Sequence, residues 1–203
     1  ITFPSKAEES VRKIANLIVF VDFQDTVHTE QCYTGDPQIQ ELFDGDEKNP
    51  KSLKQYIKAI SYGQMEVENV IPQYNREGNQ VVPVKLSMSS SQYTDGVNGD
   101  ANLIEVLAQE WPEQLQLSEE QLDYDGDGVI DNLMLVLPDE PSNSNTSGRM
   151  NTYQGSASIG GKQIGNYTVI PEYDAYKSNI KKSGVIIHEF LHTLGCADLY
   201  WGG

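Results

Sequence analysis

Hydrophobic residues fall along this chain in two rhythms. The stretch "KIANLIVFVDFQD" (13–25) is a nearly continuous apolar run rich in Val, Ile and Phe. A strand covered on both faces reads this way. "NLMLVLP" (132–138) is a shorter run of the same kind. "QMEVENVIPQY" (64–74) alternates instead, with Met65 and Val67 pointing one way, and predicts a half-buried strand. "NREGNQ" (75–80) turns it into "VVPVKLSM" (81–88). "MNTYQGSASI" (150–159) and "QIGNYTVIPEY" (163–173) predict two more strands, split by Gly160 and Gly161. The period lengthens elsewhere. Leu53, Ile57 and Ile60 in 49–61 share one face of a helix, and Gly63 lies just past its end. Leu103, Val106, Leu107 and Trp111 do the same in 100–111. A last helix carries "GVIIHEFLHTLG" (184–195), with Ser178 or Ser183 as its cap. The loops are "HTEQCYTGDPQIQ" (28–40), "DYDGDGVID" (123–131) and the polar "PSNSNTSG" (141–148).

Strands and helices interleave, with no internal repeat and no clear linker, so the best fold class is α/β. The length of 203 residues suits one domain, 1–203. No apolar run is long enough to span a bilayer. Acidic residues outnumber basic ones 30 to 14, for a formal charge of −16. Such a surface repels phosphate backbones and argues against nucleic-acid binding. It fits cation binding or an exported protein. Cys32 and Cys196 are the only cysteines, too few for a disulfide framework. One bridge and two free thiols stay equally open.

The chemistry concentrates in the last helix. His188 and His192 are four apart, which puts both imidazoles on one face of a helix, one turn apart. Two ring nitrogens so placed can converge on a tetrahedral Zn2+ at about 2.0–2.1 Å. Glu189 stands beside the open position and can take a proton from water as general base. Gly195 ends the helix, because glycine tolerates the left-handed conformation there. The chain then turns, and Asp198, six residues after His192, can swing back as a third ligand. The pattern is H-E-x-x-H-x-x-G-x-x-D. A chance motif on a surface helix is the bland reading. The apolar neighbours of the motif predict a mostly buried helix, on which these side chains need partners. For Asp198 the bland reading is a hydrogen bond at the helix end.

"DYDGDGVIDNLM" (123–134) has the look of an EF-hand or dockerin-type calcium loop. Asp123, Asp125 and Asp127 fall at positions 1, 3 and 5, Gly128 at 6, the Val129 carbonyl at 7 and Asp131 at 9. Hard carboxylate oxygens suit Ca2+ rather than zinc. Position 12 is Met134, not the bidentate glutamate, so the loop runs into a strand. An Asp-Gly turn that only caps this strand is the plain alternative. His28 reads first as a surface histidine, with a ligand or cleft role behind it.

On "HEFLHTLGCADLY" (188–200) the chain resembles the M6 family of metallopeptidases, the immune inhibitor A group. "LIVFVDFQD" (17–25), "SYGQMEVENVI" (61–71) and "DYDGDGVIDNLMLVL" (123–137) match more weakly, in the family's order. The resemblance implies a secreted, metzincin-like zinc endopeptidase. In it the active-site helix lies under a twisted mixed sheet of the α+β kind, and one edge strand pairs with the substrate backbone. It implies a protein or peptide substrate, a monomer, His188, His192 and Asp198 as zinc ligands and Glu189 as catalytic base. It also implies that 1–203 is the upper, zinc-binding part of a catalytic domain whose lower subdomain lies beyond the last residue. Cys196 stands where the family has an apolar residue. On this reading "NYTVIPEY" (166–173) is the edge strand or adjoins it. Two other classes stay open. One is a non-catalytic calcium-binding or adhesive module with a vestigial zinc site, and the other is a different metal hydrolase.

Overall fold

The computed structural model describes residues 11–28, 40–48, 50–75, 80–94, 96–138, 148–172 and 183–198. Its centre is the apolar run read as a strand, β1 (Arg12–Asp22), buried from Ile14 onward. β2 (Met65–Val70) pairs with it in parallel, from Arg12↔Met65 to Leu17↔Val70. After the short hairpin of β3 (Tyr74–Asn75) and β4 (Gln80–Val81), β5 (Val84–Lys85) pairs with the last two residues of β1. Gln73 fills the gap between these partners. Its amide accepts from the Phe20 N–H at 3.0 Å and donates to the Phe20 carbonyl at 2.7 Å. A side chain there does the work of a missing strand residue.

β6 (Val129–Ile130) leads into β7 (Leu133–Leu137), all five residues of which are buried. β8 (Arg149–Thr152), β9 (Ser158–Ile159), β10 (Lys162–Ile164) and β11 (Asn166–Pro171) follow. The two strands expected from 150–173 are thus four short ones, broken again at 153–157 and at Gly165. The main sheet has the order β2-β1-β7-β11-β8, parallel except for the antiparallel edge strand β8. The fold is a mixed α/β arrangement built on this mixed sheet.

Alternation along the strands sends side chains to two cores. Leu17, Val19, Leu133, Leu135, Tyr167 and Val169 meet α2 (Val97–Gln109), which follows α1 (Leu53–Ile60) in the chain. Ile18, Phe20, Met134, Val136 and Ile170 meet the other face, against α1 and α3 (Ser183–Thr193). Each large buried side chain contributes about 1.5–3 kcal/mol. α1 is capped by Ser52, whose hydroxyl accepts from the Gln55 N–H at 3.3 Å. It buries Leu53 and Ile57, but Ile60 is exposed. α2 begins three residues earlier than its pattern predicts and buries Ile104 rather than Val106. Ser183 is the first residue of α3 rather than its cap, and Ser178 lies outside the described residues. Among the described residues no helix is long and apolar enough to cross a membrane.

One expectation is met in its second form and one needs correction. Among the described residues the strand in 166–173, β11, is not the edge but adjoins it: β11 pairs with β7 on one side and with the outermost strand β8 on the other, and α3 packs on both β11 and β8. A continuous apolar run such as Val169–Ile170 needs cover on both sides, whereas "RMNT" in β8 does not. His28 is not a surface residue; it is 3% exposed. The turn closed by Phe23 N–H to Thr26 carbonyl (2.9 Å) folds it back. Its N–H and its Nδ1 then meet Asp22 Oδ1 at 2.9 and 2.7 Å.

Candidate metal centre

α3 sits on β11 and β8, with Ile186 and Phe190 fully buried beneath it. The histidines take the opposite side and stay half open, so the motif is less buried than its apolar neighbours suggest. His188 and His192 side chains are 42% and 23% exposed, while Glu189 is buried. The reason is periodic. Positions 186 and 190 share the core face, and 188 and 192 share the far one.

The end of α3 places the rest. Gly195 has φ +84°. Its N–H reaches the His192 carbonyl at 2.9 Å, and the Cys196 N–H reaches back to Leu191 at 3.1 Å. This paired closure reverses the chain and satisfies the last helical carbonyls. The reversal does two things. It sets the Cys196 carbonyl 2.7 Å from His192 Nδ1. A carbonyl only accepts, so Nδ1 carries the proton and the neutral ring keeps its lone pair on Nε2. It also brings Asp198 over the histidine pair.

His188 Nε2 and His192 Nε2 are 3.2 Å apart, and Asp198 Oδ1 lies 3.2 Å from the first and 3.4 Å from the second. The three atoms form a nearly equilateral triangle. A tetrahedron with metal–ligand bonds of about 2.0–2.1 Å has edges of about 3.3–3.4 Å. Two imidazoles and a carboxylate, spaced like one face of such a tetrahedron, could hold a metal ion. The rings meet edge to face, 4.7 Å between centroids. Glu189 Oε1 lies 4.0 Å from His188 Nε2. Burial pushes the Glu189 carboxyl above its ordinary range, against the pull of the two histidines. Cys196 carries a free, exposed thiol; Cys32, the other half of the bridge weighed above, lies outside the described residues.

The acidic loop is a second, different gathering. Carboxylate oxygens of Asp123, Asp125 and Asp131 come within 4.8 Å of one another and could hold a cation. Asp127 is not in this group; its Oδ1 accepts the Val129 N–H at 2.8 Å. Val129 itself is in β6, paired with Gln163. Asp131 ties the loop to β1 by accepting the Ala15 N–H at 2.7 Å. Asp123 accepts from Lys162 Nζ at 2.9 Å. That ammonium, with the Gly128 and Gly126 N–H groups, lowers the Asp123 carboxyl to about 2.

No family model matches this chain, and no curated protein matches it.

One neighbour of the site went unread in the sequence. Arg149, the first residue of β8, forks onto the fully buried Asp100 of α2. The available signal was its isolation: it is the only basic residue between Lys85 and Lys162, in a strongly acidic stretch.

Proposed function

We propose that this chain carries the metal site of a secreted, metzincin-like zinc endopeptidase of the immune inhibitor A kind. The observation that carries the reading is the triangle of His188 Nε2, His192 Nε2 and Asp198 Oδ1, with sides of 3.2–3.4 Å, beside a buried glutamate. Zinc held by these atoms supplies Lewis acidity to a water molecule and to the scissile carbonyl. Glu189 accepts a proton on its carboxylate and returns it to the leaving amine nitrogen. The Cys196 carbonyl keeps the His192 ring in the tautomer a ligand needs. β8, the edge strand beside α3, offers backbone groups to which an extended peptide can add as a further strand.

Anomalous scattering at the zinc edge, on crystals grown with zinc, tests the metal. The expected peak lies within bonding reach of all three atoms. Rings turned apart with zinc present, or an Asp198 facing solvent, would end the reading.

The Asp123, Asp125 and Asp131 group favours one subsidiary reading, a structural calcium site that pins the loop before β7. As the whole function, a calcium-binding module without catalysis requires that peptide cleavage be absent or indifferent to Glu189.

A further inference from the structure

We propose that the Asp100–Arg149 pair positions Glu189: it fixes the start of the edge strand so that the backbone of Gly148 is held against the Glu189 carboxylate. The inference rests on the reading of Glu189 as the base. Asp100 lies in the first turn of α2 and is 0% exposed. A carboxylate so placed is costly unless every oxygen is engaged. Here Arg149 Nε donates to Oδ2 at 2.8 Å and Nη2 donates to Oδ1. The Tyr93 hydroxyl adds a bond to Oδ1 at 2.7 Å, and the Tyr167 hydroxyl adds one to Oδ2 at 3.2 Å.

Such a fork contributes little net stability compared with an apolar pair of the same volume. It does fix position and orientation, because the guanidinium is planar and meets both oxygens at once. What it fixes is decided by the pleat. Arg149 pairs with Val169, whose side chain is in the core beneath α2. Neighbouring residues of a strand point to opposite faces. Gly148 therefore faces α3. A Cβ on Gly148 would stand 2.5 Å from Val185 Cγ1, 3.2 Å from Glu189 Cγ and 3.3 Å from Glu189 Oε1. Only a residue without a side chain lets the strand come this close. The fork pulls residue 149 down on one face, and the bare backbone of residue 148 closes over Glu189 on the other. Neither residue touches the reacting atoms in this account; both act through the base.

Three variants test it, assayed for peptide cleavage beside a Glu189→Gln control. Arg149→Lys keeps the charge and loses the fork. It should lower kcat by about tenfold or more, with KM within about twofold and zinc content unchanged. Gly148→Ala should do the same. Adding Val185→Ala to Gly148→Ala removes the atom the new methyl meets first, and should recover most of the lost kcat. Recovery is the readout that a merely structural role does not predict. If Arg149→Lys does not fold, the Gly148 and Val185 variants decide alone. Parental kcat in Gly148→Ala, or no recovery in the double variant, overturns the proposal while a dead Glu189→Gln leaves the site reading intact. A Glu189→Gln protein that cleaves at full rate removes the base and the positioning role together.

Discussion

Among the described residues two places gather side chains that could hold a cation, and they differ in what the oxygens and nitrogens already hold. In the acidic loop Asp123 Oδ1 accepts from Gly126 and Asp127 N–H at 2.7 and 3.2 Å, and Oδ2 accepts from Gly128 N–H and Lys162 Nζ, both at 2.9 Å. A carboxylate has about four acceptor positions, and four donors fill them. At the end of α3 the arrangement is the reverse. His192 spends its proton on the Cys196 carbonyl, and its other nitrogen turns toward His188 Nε2 and Asp198 Oδ1. Two ring nitrogens and a carboxylate oxygen converge there within 3.2–3.4 Å, close enough to share a proton or a cation. In the acidic loop the acceptor positions of Asp123 are already filled by donors of the protein itself. At the end of α3 these contacts of the converging atoms include no backbone N–H and no ammonium.

The sharpest way to break this comparison is to separate holding the metal from using it. His188→Ala should abolish both zinc binding and peptide cleavage, since two ligands hold zinc poorly. Glu189→Gln should keep zinc, measured by elemental analysis, and lose cleavage by at least ~100-fold, the lower range for a general acid–base group. Cleavage that survives Glu189→Gln with zinc bound would leave α3 as a metal site without this chemistry.

Asp198→Asn sharpens the geometry. The amide keeps the size of the side chain and removes its charge. Zinc affinity should fall by more than ~100-fold, beyond the range seen for outer partners that only orient a ligand. An unchanged affinity in competition with a chelator would place the third ligand elsewhere in the protein.

Gly195→Ala tests the turn that delivers Asp198. At φ +84° an alanine strains the backbone by about 1–2 kcal/mol. Urea unfolding should show that loss, and zinc should bind more weakly as Asp198 shifts off the histidine pair. Full stability together with full affinity would mean that the closure at Gly195 does not set the site.

The readable part of this molecule was the part written locally. His188 and His192 are separated by one helical turn, and Gly195 closes that same helix, so the eleven neighbouring residues 188–198 carry the geometry. The runs behind β1 and β7 were legible because strands covered on both sides need unbroken apolar sequence. The neighbourhood of the edge was legible, but which strand lies outermost was not. Nothing in "NYTVIPEY" says that "RMNT" will lie outside it, because strand order depends on pairing between distant segments. His28 misled for a different, local reason: its burial depends on a tight turn that returns it to Asp22 and Phe20. The acidic loop matched a calcium pattern by spacing, but the residue that changes its meaning, Lys162, is 39 positions from Asp123.

That lysine carries the smallest effect and the most direct test of the comparison. Lys162 Nζ is 2.9 Å from Asp123 Oδ2 and 3.9 Å from Glu119 Oε2. A calcium ion at the Asp123, Asp125 and Asp131 oxygens must displace it or bind beside a like charge. Lys162→Met keeps the length of the side chain and removes the ammonium. Calcium binding to the loop, followed by titration calorimetry, should tighten by about tenfold, equivalent to about 1.4 kcal/mol. The Asp123 carboxyl should move with it. In the parent it lies at about 2, chiefly through the hydrogen bond from Lys162, with Gly128 and Gly126 helping. Without Lys162 it should rise toward the ordinary value of 3.8, as read by carboxyl carbon NMR. The sign for stability follows from a depressed folded value. The parent's extra stability is present above the unfolded value of 3.8 and is lost as pH falls toward 2. The variant should lose part of that advantage at neutral pH and regain it only when calcium is added. A variant that binds calcium no better than the parent, with Asp123 still near 2, would show that the backbone N–H groups alone saturate the carboxylate and that the loop is a strand-capping turn.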